Sequence, residues 1–148
     1  MNRLRLAAYW LLQWTWGLPQ NIIGAALLLL AGKRPSLYHG AAVSEFRRER
    51  FSRAGSCALG MFVFLSARLE GERRSEIRVH EYGHTVQSLI LGPLFLPCVA
   101  LPSLLWALRF ERKKEYYRGN GVAYVSRYPE NQANRWGERV TGEKASSR

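Results

Sequence analysis

Residues 75–92 decide the fold of this chain and read SEIRVHEYGHTVQSLILG. Ser75 is a typical helix N-cap, and Gly92 followed by Pro93 is a typical helix end, so the sequence predicts a helix over 75–92. Four residues of this helix fall at the spacing i, i+3, i+4 and i+7 and therefore share one face: Ile77, His80, Glu81 and His84.

The same stretch contains an H-E-x-x-H motif at residues 80–84. Residues four apart on a helix point the same way, so His80 and His84 can bind one Zn²⁺ while Glu81 reaches a water on the metal. In such a site the metal lowers the pKa of the water, and the glutamate accepts its proton during attack on a carbonyl. The motif therefore predicts two zinc ligands and a catalytic base. A pair of structural histidines is the alternative.

A catalytic zinc needs a third protein ligand and one open position. All 11 acidic residues are glutamates, and only one histidine lies outside the motif. The third ligand is therefore His39 or a glutamate. Residues 128–137 read YPENQANRWG, and Pro129 is typical of a first helical turn. This segment predicts a second helix with Glu130 and Asn134 one turn apart on one face.

The two helices together resemble the gluzincin metallopeptidases, in which a second helix supplies a glutamate ligand in an E-x-x-x-D motif. The resemblance implies that Glu130 is the third zinc ligand. The aspartate of that family supports a ligand histidine by a hydrogen bond, and Asn134 stands in its place here. An amide oxygen can accept the same bond but carries no charge.

A longer string, HEYGHTVQSLILGPLFLPCVALPSLLWA at residues 80–107, resembles a family of small, uncharacterised bacterial membrane proteins. Those proteins carry an HE[FY]GHTxQSLxLGPLYLP run and a later YTExxAxxLGG-like segment. The second segment corresponds here to RYPENQANRWGERV, without the paired glycines. The resemblance spans residues 79–137. It supports the metal site and implies no substrate.

Two uncharged stretches predict a membrane protein. Residues 6–32 and 85–108 carry no charge over 27 and 24 positions, long enough to cross a bilayer core of about 20 residues. We interpret 1–32 as an uncleaved transmembrane anchor kinked at Pro19. Gln13, Gln20 and Asn21 are costly against lipid, so we expect them to face protein or water. The anchor is either plain, or its amide face packs against the functional part.

If His84 and Glu130 bind the same metal, the second uncharged stretch has to leave both residues on the same side of the membrane. Glycine and prolines interrupt it, so residues 93–110 are interpreted as a re-entrant hairpin, with a full span as the alternative. Of 22 basic residues, 20 follow the anchor. The positive-inside rule then places the site on the cytoplasmic face of the membrane.

The basic region 33–71 predicts strands over 41–46 and 56–67, with a hairpin turn between them. The second strand could bind an extended substrate by edge addition, and Gly60, Phe62 and Phe64 are the candidate contacts. No element typical of nucleic-acid recognition is present, so we expect no nucleic-acid partner despite the net charge of +11.

The sequence thus predicts an α+β membrane protein of one zincin-like domain. Its parts are an N-terminal transmembrane helix (1–32), a short β-hairpin or sheet (33–71), an active-site helix (75–92), a re-entrant apolar hairpin (93–110), a third-ligand region with a Glu-bearing helix (111–140) and a frayed tail (141–148). The expected location is the bacterial inner membrane.

The expected function is zinc-dependent hydrolysis of peptide bonds at or near the membrane surface. Its partners would be the lipid bilayer and a peptide or membrane-protein substrate, and oligomers could form. A candidate for stabilising the oxyanion is any of Tyr116, Tyr117, Tyr124 and Tyr128. Two alternatives are a non-catalytic membrane protein with a structural or regulatory zinc site, and a basic, metal-free membrane adaptor.

Overall fold

A computed structural model describes residues 3–146 of the chain, and residues 1, 2, 147 and 148 lie outside the described part. The helices are α1 (Arg3–Thr15), α2 (Leu18–Ala31), α3 (Glu49–Ala54), α4 (Gly71–Leu91), α5 (Leu101–Arg112), α6 (Lys114–Gly119) and α7 (Glu130–Thr141). The strands are β1 (Ser36–Tyr38), β2 (Ala41–Glu45), β3 (Cys57–Leu59) and β4 (Phe62–Leu65). Short 3₁₀ turns occur at Gly92–Leu94 and Tyr124–Ser126, and a π-helical turn at Leu96–Ala100.

The four strands form one sheet in the order β1-β2-β4-β3. Strands β2 and β4 are parallel, and the two outer pairs are antiparallel. Side chains alternate along β4 because successive residues of a strand point to opposite faces. Phe62 and Phe64 pack towards α1 and α2, whereas Val63 and Leu65 pack towards α4. The sheet therefore lies between two helical layers, and α4 is the layer that carries the H-E-x-x-H motif.

Two glycines allow α4 and α7 to cross at very short range. A Cβ atom on Gly83 would stand 1.8 Å from the carbonyl oxygen of Ala133, and one on Gly137 would stand 2.2 Å from the carbonyl oxygen of Val79. Any side chain at these positions would meet the backbone of the other helix. Because these two glycines have no Cβ atom, the first turn of α7, which begins at Glu130, can lie against the face of α4 that carries the motif.

The prediction of a transmembrane protein is wrong. Within residues 3–146, no helix is both long enough and apolar enough to span a membrane. The first uncharged stretch is divided at Trp16–Gly17 into α1 and α2, of 13 and 14 residues, and a span needs about 20. The second is divided by the turns at 92–100. This finding also overturns the integral membrane location and the membrane part of the predicted fold class.

Residues 46–67 also differ from their prediction. The expected single strand over 56–67 is a hairpin, because Gly60 turns the chain with a φ of 61° between β3 and β4. The expected turn at 46–55 contains helix α3. The tail predicted to be frayed folds back on α7: the backbone N–H of Ala145 donates to Glu138 Oε1 at 3.0 Å. The rest of that tail, residues 147 and 148, lies outside the described chain.

Candidate metal centre

His80, His84 and Glu130 come together between α4 and α7. Their potential ligand atoms all lie within 4.8 Å of one another. Glu130 Oε2 is 3.0 Å from His80 Nε2 and 3.5 Å from His84 Nε2. All three side chains are buried, Glu130 to 1% exposure. A buried His-His-Glu group of this kind can hold a metal ion.

The tautomer of His80 is set by an amide. His80 Nδ1 lies 2.6 Å from Asn134 Oδ1, and the Asn134 amide nitrogen donates to the backbone carbonyl of Ser146 at 2.6 Å. The second bond directs the amide oxygen towards the ring, and an oxygen can only accept. In the neutral ring, Nδ1 therefore carries the proton and Nε2 presents a lone pair to Glu130.

A second amide, that of Gln87, sets the tautomer of His84. Its Nδ1 lies 2.7 Å from Gln87 Oε1. The Gln87 amide nitrogen donates to the carbonyl of Pro129 at 3.2 Å and to Gln132 Oε1 at 2.8 Å. The orientation of Gln87 is thus fixed by α7, and His84 Nε2 also presents a lone pair to Glu130.

When both rings are neutral, the groups that converge here are the Nε2 lone pairs of the two imidazoles and one carboxylate. No proton then lies between them. Within residues 3–146, neither oxygen of Glu130 has a hydrogen-bond partner. Burial alone would raise the pKa of Glu130, but His80 and His84 outweigh it and hold the pKa far below its usual range. The buried carboxylate is thus stabilised by positive charge, and when both rings are neutral a cation shared by the three groups can supply that charge. The donor set therefore fits a metal ion.

Glu81 lies beside this group on the same turn of α4 and is 6% exposed. Burial raises the pKa of Glu81 to about 7; the charge of His80 opposes this, and that of Glu130 adds to it. Glu81 also acts on Cys57 of β3: burial, with a smaller contribution from Glu81, raises the pKa of the Cys57 thiol to about 12. Cys57 is therefore a neutral thiol at physiological pH, and Glu81 is the neighbouring group that can exchange a proton near neutral pH.

Of the four candidate tyrosines, only Tyr124 is placed at the site. Burial, followed by the charges of Glu130 and Glu81, raises its pKa, which keeps the phenol protonated. Trp106 holds Tyr124 in place by a 2.8 Å hydrogen bond to its carbonyl oxygen and by stacking with a centroid distance of 6.3 Å.

The other three tyrosines lie away from the three candidate metal ligands. Tyr117 is buried in the aromatic cluster and accepts from Arg109, Tyr128 donates to the carbonyl of Cys98, and Tyr116 is exposed.

A cavity of about 1170 Å³ opens onto the three ligands and Glu81. Its wall includes Tyr124, β3 and the apolar side chains of Phe95, Val99 and Phe110. Strand β3 is an outer strand of the sheet, so its backbone borders the cavity without a second partner strand in the described chain. The cavity thus brings together the three candidate metal ligands, the Glu81 carboxyl group and an unpaired strand edge.

Comparisons of the chain with protein-family models, curated proteins and solved structures find no match. The gluzincin resemblance and the resemblance to the small bacterial proteins therefore stay predictions. The assignment of His80, His84 and Glu130 as a group that can hold a metal ion depends only on the geometry of α4 and α7.

The structure does not bring every predicted residue to the site. His39, the alternative third ligand, is exposed in the β1–β2 turn, with its ring 5.6 Å from that of Tyr82. Phe62 and Phe64 are buried in β4, both edges of which are already paired, and Gly60 lies in the turn against Asn21. None of these three candidates can add a substrate strand, and β3 provides the free edge instead.

Sequence reasoning missed Gln87. Its signal was available, because Gln87 lies three residues after His84 on the same helix, where side chains meet. The role of Ser146 had no such signal, because the contact depends on how the chain turns after α7.

Proposed function

We propose that this protein is a zinc-dependent hydrolase that cleaves peptide bonds. The observation that carries the proposal is the convergence of His80, His84 and Glu130 in the cavity that also holds Glu81. Two imidazole nitrogens and one carboxylate oxygen are a typical donor set for zinc. Three protein ligands leave a coordination position open, as catalytic zinc sites do and closed structural sites do not.

When bound, zinc would supply a Lewis acid that lowers the pKa of water and polarises a carbonyl. Glu81 would accept the proton of the attacking water and return it to the leaving amine. The Tyr124 hydroxyl, held protonated, would donate to the carbonyl oxygen as negative charge develops there. Each role belongs to a side chain that lines the same cavity.

The peptide preference follows from β3. An extended peptide can pair with the free edge of an outer strand, and this places its carbonyl groups at regular intervals along the cavity. The neighbouring apolar walls would receive side chains of the substrate. A small ester or phosphate would use neither feature.

The test is Glu81→Gln, measured for zinc content and for cleavage of a mixed peptide library. We expect full zinc content and a loss of cleavage of at least about 100-fold, because the amide cannot accept the proton. Glu72→Gln is the matched control, since Glu72 is exposed in the first turn of the same helix. Equal cleavage by wild type and Glu81→Gln would refute this mechanism. Zinc without any cleavage by the wild type would favour a structural zinc site.

A further inference from the structure

Helices α1 and α2 are arranged with their polar side chains inward. Gln13, Gln20 and Asn21 have 0% exposure. Gln20 donates to Ser88 Oγ at 2.8 Å, and the Asn21 side-chain oxygen accepts from the backbone N–H of Met61 at 2.8 Å. The amide groups thus bind α2 to α4 and to the β3–β4 turn. The sequence analysis expected these amides to face protein or water, and in the structure they face protein.

The outward faces of the same helices are apolar. Eleven large apolar side chains are exposed there: Leu4, Trp10, Leu11, Leu12, Trp14, Trp16, Leu18, Ile22, Ile23, Leu29 and Leu30. Six more follow along residues 90–108: Ile90, Leu94, Leu101, Leu104, Leu105 and Leu108. The two groups adjoin, since Gln20 donates to the carbonyl of Gly92 at 3.0 Å and the Trp16 ring lies against Gly92. We call these 17 side chains the apolar surface.

Buried amides beneath a continuous layer of exposed leucines and tryptophans reverse the usual arrangement of a surface helix. A continuous group of 17 exposed apolar side chains marks a surface that contacts another apolar phase or another protein. Helices with one apolar face can lie in the plane of a bilayer interface, with that face among the acyl chains. Such an arrangement requires no helix that crosses the bilayer.

We propose that the apolar surface binds the face of an anionic lipid bilayer. Positive charge stands at the ends of the helices that form it: Arg3 begins α1, Arg34 follows α2, and Arg109 and Arg112 end α5. The chain as a whole carries +11. Basic side chains beside an apolar helix face are attracted to anionic headgroups.

The same charge argues against a second copy as the occupant. Joining two apolar surfaces would bring two chains of +11 together, with like charges along the border. The exposed indoles of Trp10, Trp14 and Trp16 also fit a bilayer, because tryptophan favours the headgroup region. Leu104 belongs to the apolar surface and also lines the cavity, so the metal centre opens close to the bound lipid.

The experiment is flotation of the whole chain with vesicles, comparing phosphatidylcholine mixed with phosphatidylglycerol against phosphatidylcholine alone. The test variant is Leu29→Ser with Leu30→Ser, at positions 81% and 75% exposed. Leu37→Ser is the matched control, because Leu37 is 65% exposed on β1, outside the apolar surface. Circular dichroism and zinc content of the same samples show whether each variant is folded, and neither depends on lipid.

We expect the wild type and Leu37→Ser to bind the anionic vesicles, more weakly at high salt and more weakly to phosphatidylcholine alone. The double variant should partition at least about 100-fold more weakly, since two leucines no longer enter the apolar phase. Equal partition of the folded double variant would overturn the proposal, as would failure of the wild type to bind vesicles. A wild-type dimer without lipid that the double variant dissociates would show that a second copy covers the surface instead.

Discussion

The close crossing of α4 and α7 makes Gly83→Ala an informative change. The new Cβ would stand 1.8 Å from the carbonyl oxygen of Ala133, and real Cβ atoms essentially never approach closer than 3.0 Å. The two helices must therefore separate there by at least about 1.2 Å. Zinc–ligand distances tolerate only about 0.2 Å. Ala133 lies one turn from Glu130, so the carboxylate would leave the two histidines.

Gly83→Ala also tests whether the clash outweighs the higher helix propensity of alanine in the free energy of unfolding. In an open helix, replacing glycine by alanine stabilises by about 0.5–1 kcal/mol. At this crossing the clash should outweigh that gain, and we expect a net loss of about 1–3 kcal/mol in the free energy of unfolding. Zinc affinity should fall at least about 100-fold, because one ligand is displaced.

Urea unfolding and zinc competition against a chelator measure the two effects of Gly83→Ala. Gly119→Ala is the control, since a Cβ on Gly119 of α6 meets no atom within 4 Å. A Gly83→Ala protein as stable as the wild type and with the same zinc affinity would refute the close crossing.

Three further changes test the side chains around the candidate metal site. Asn134→Asp introduces the aspartate that the gluzincin E-x-x-x-D motif carries, but it places a carboxylate against the carbonyl of Ser146. Urea unfolding should therefore show a loss of about 1–3 kcal/mol. Equal or greater stability would contradict the assigned amide orientation. Gln87→Leu removes the acceptor of His84 Nδ1, and chelator competition should show zinc bound about 10–100-fold more weakly; unchanged affinity would exclude a positioning role for Gln87. Tyr124→Phe should keep its zinc and lower kcat for peptide cleavage about 100–1000-fold; an unchanged kcat would exclude the hydroxyl as the carbonyl donor.

The local part of the site could be predicted because helical periodicity is local. The spacing of His80, Glu81 and His84 places them on one face of any helix that contains them. Glu130 could be proposed because the chain contains no aspartate and few histidines, and because the resemblance to gluzincins implies a glutamate ligand on a second helix. The crossing at Gly83 could not be foreseen, since it depends on contacts between residues about 50 positions apart.

The membrane prediction failed because it rested on the length of two uncharged stretches, and neither stretch forms one continuous helix. Gly17 and Pro19 end one helix and begin the next, and the turns after Gly92 interrupt the second stretch. The polarity of Gln20 and Asn21 indicated that they face protein or water, and in the structure they bind α2 to α4 and to the β3–β4 turn.

The most direct test of the metal centre is the zinc content per chain of protein purified without chelators, for wild type and Glu130→Ala. Glu115→Ala serves as the control, because Glu115 is an exposed carboxylate on α6. The three-ligand site predicts about one zinc ion per wild-type and control chain, and a clear loss in Glu130→Ala. A wild type without zinc, or Glu130→Ala with the same zinc content and affinity as the wild type, would contradict it.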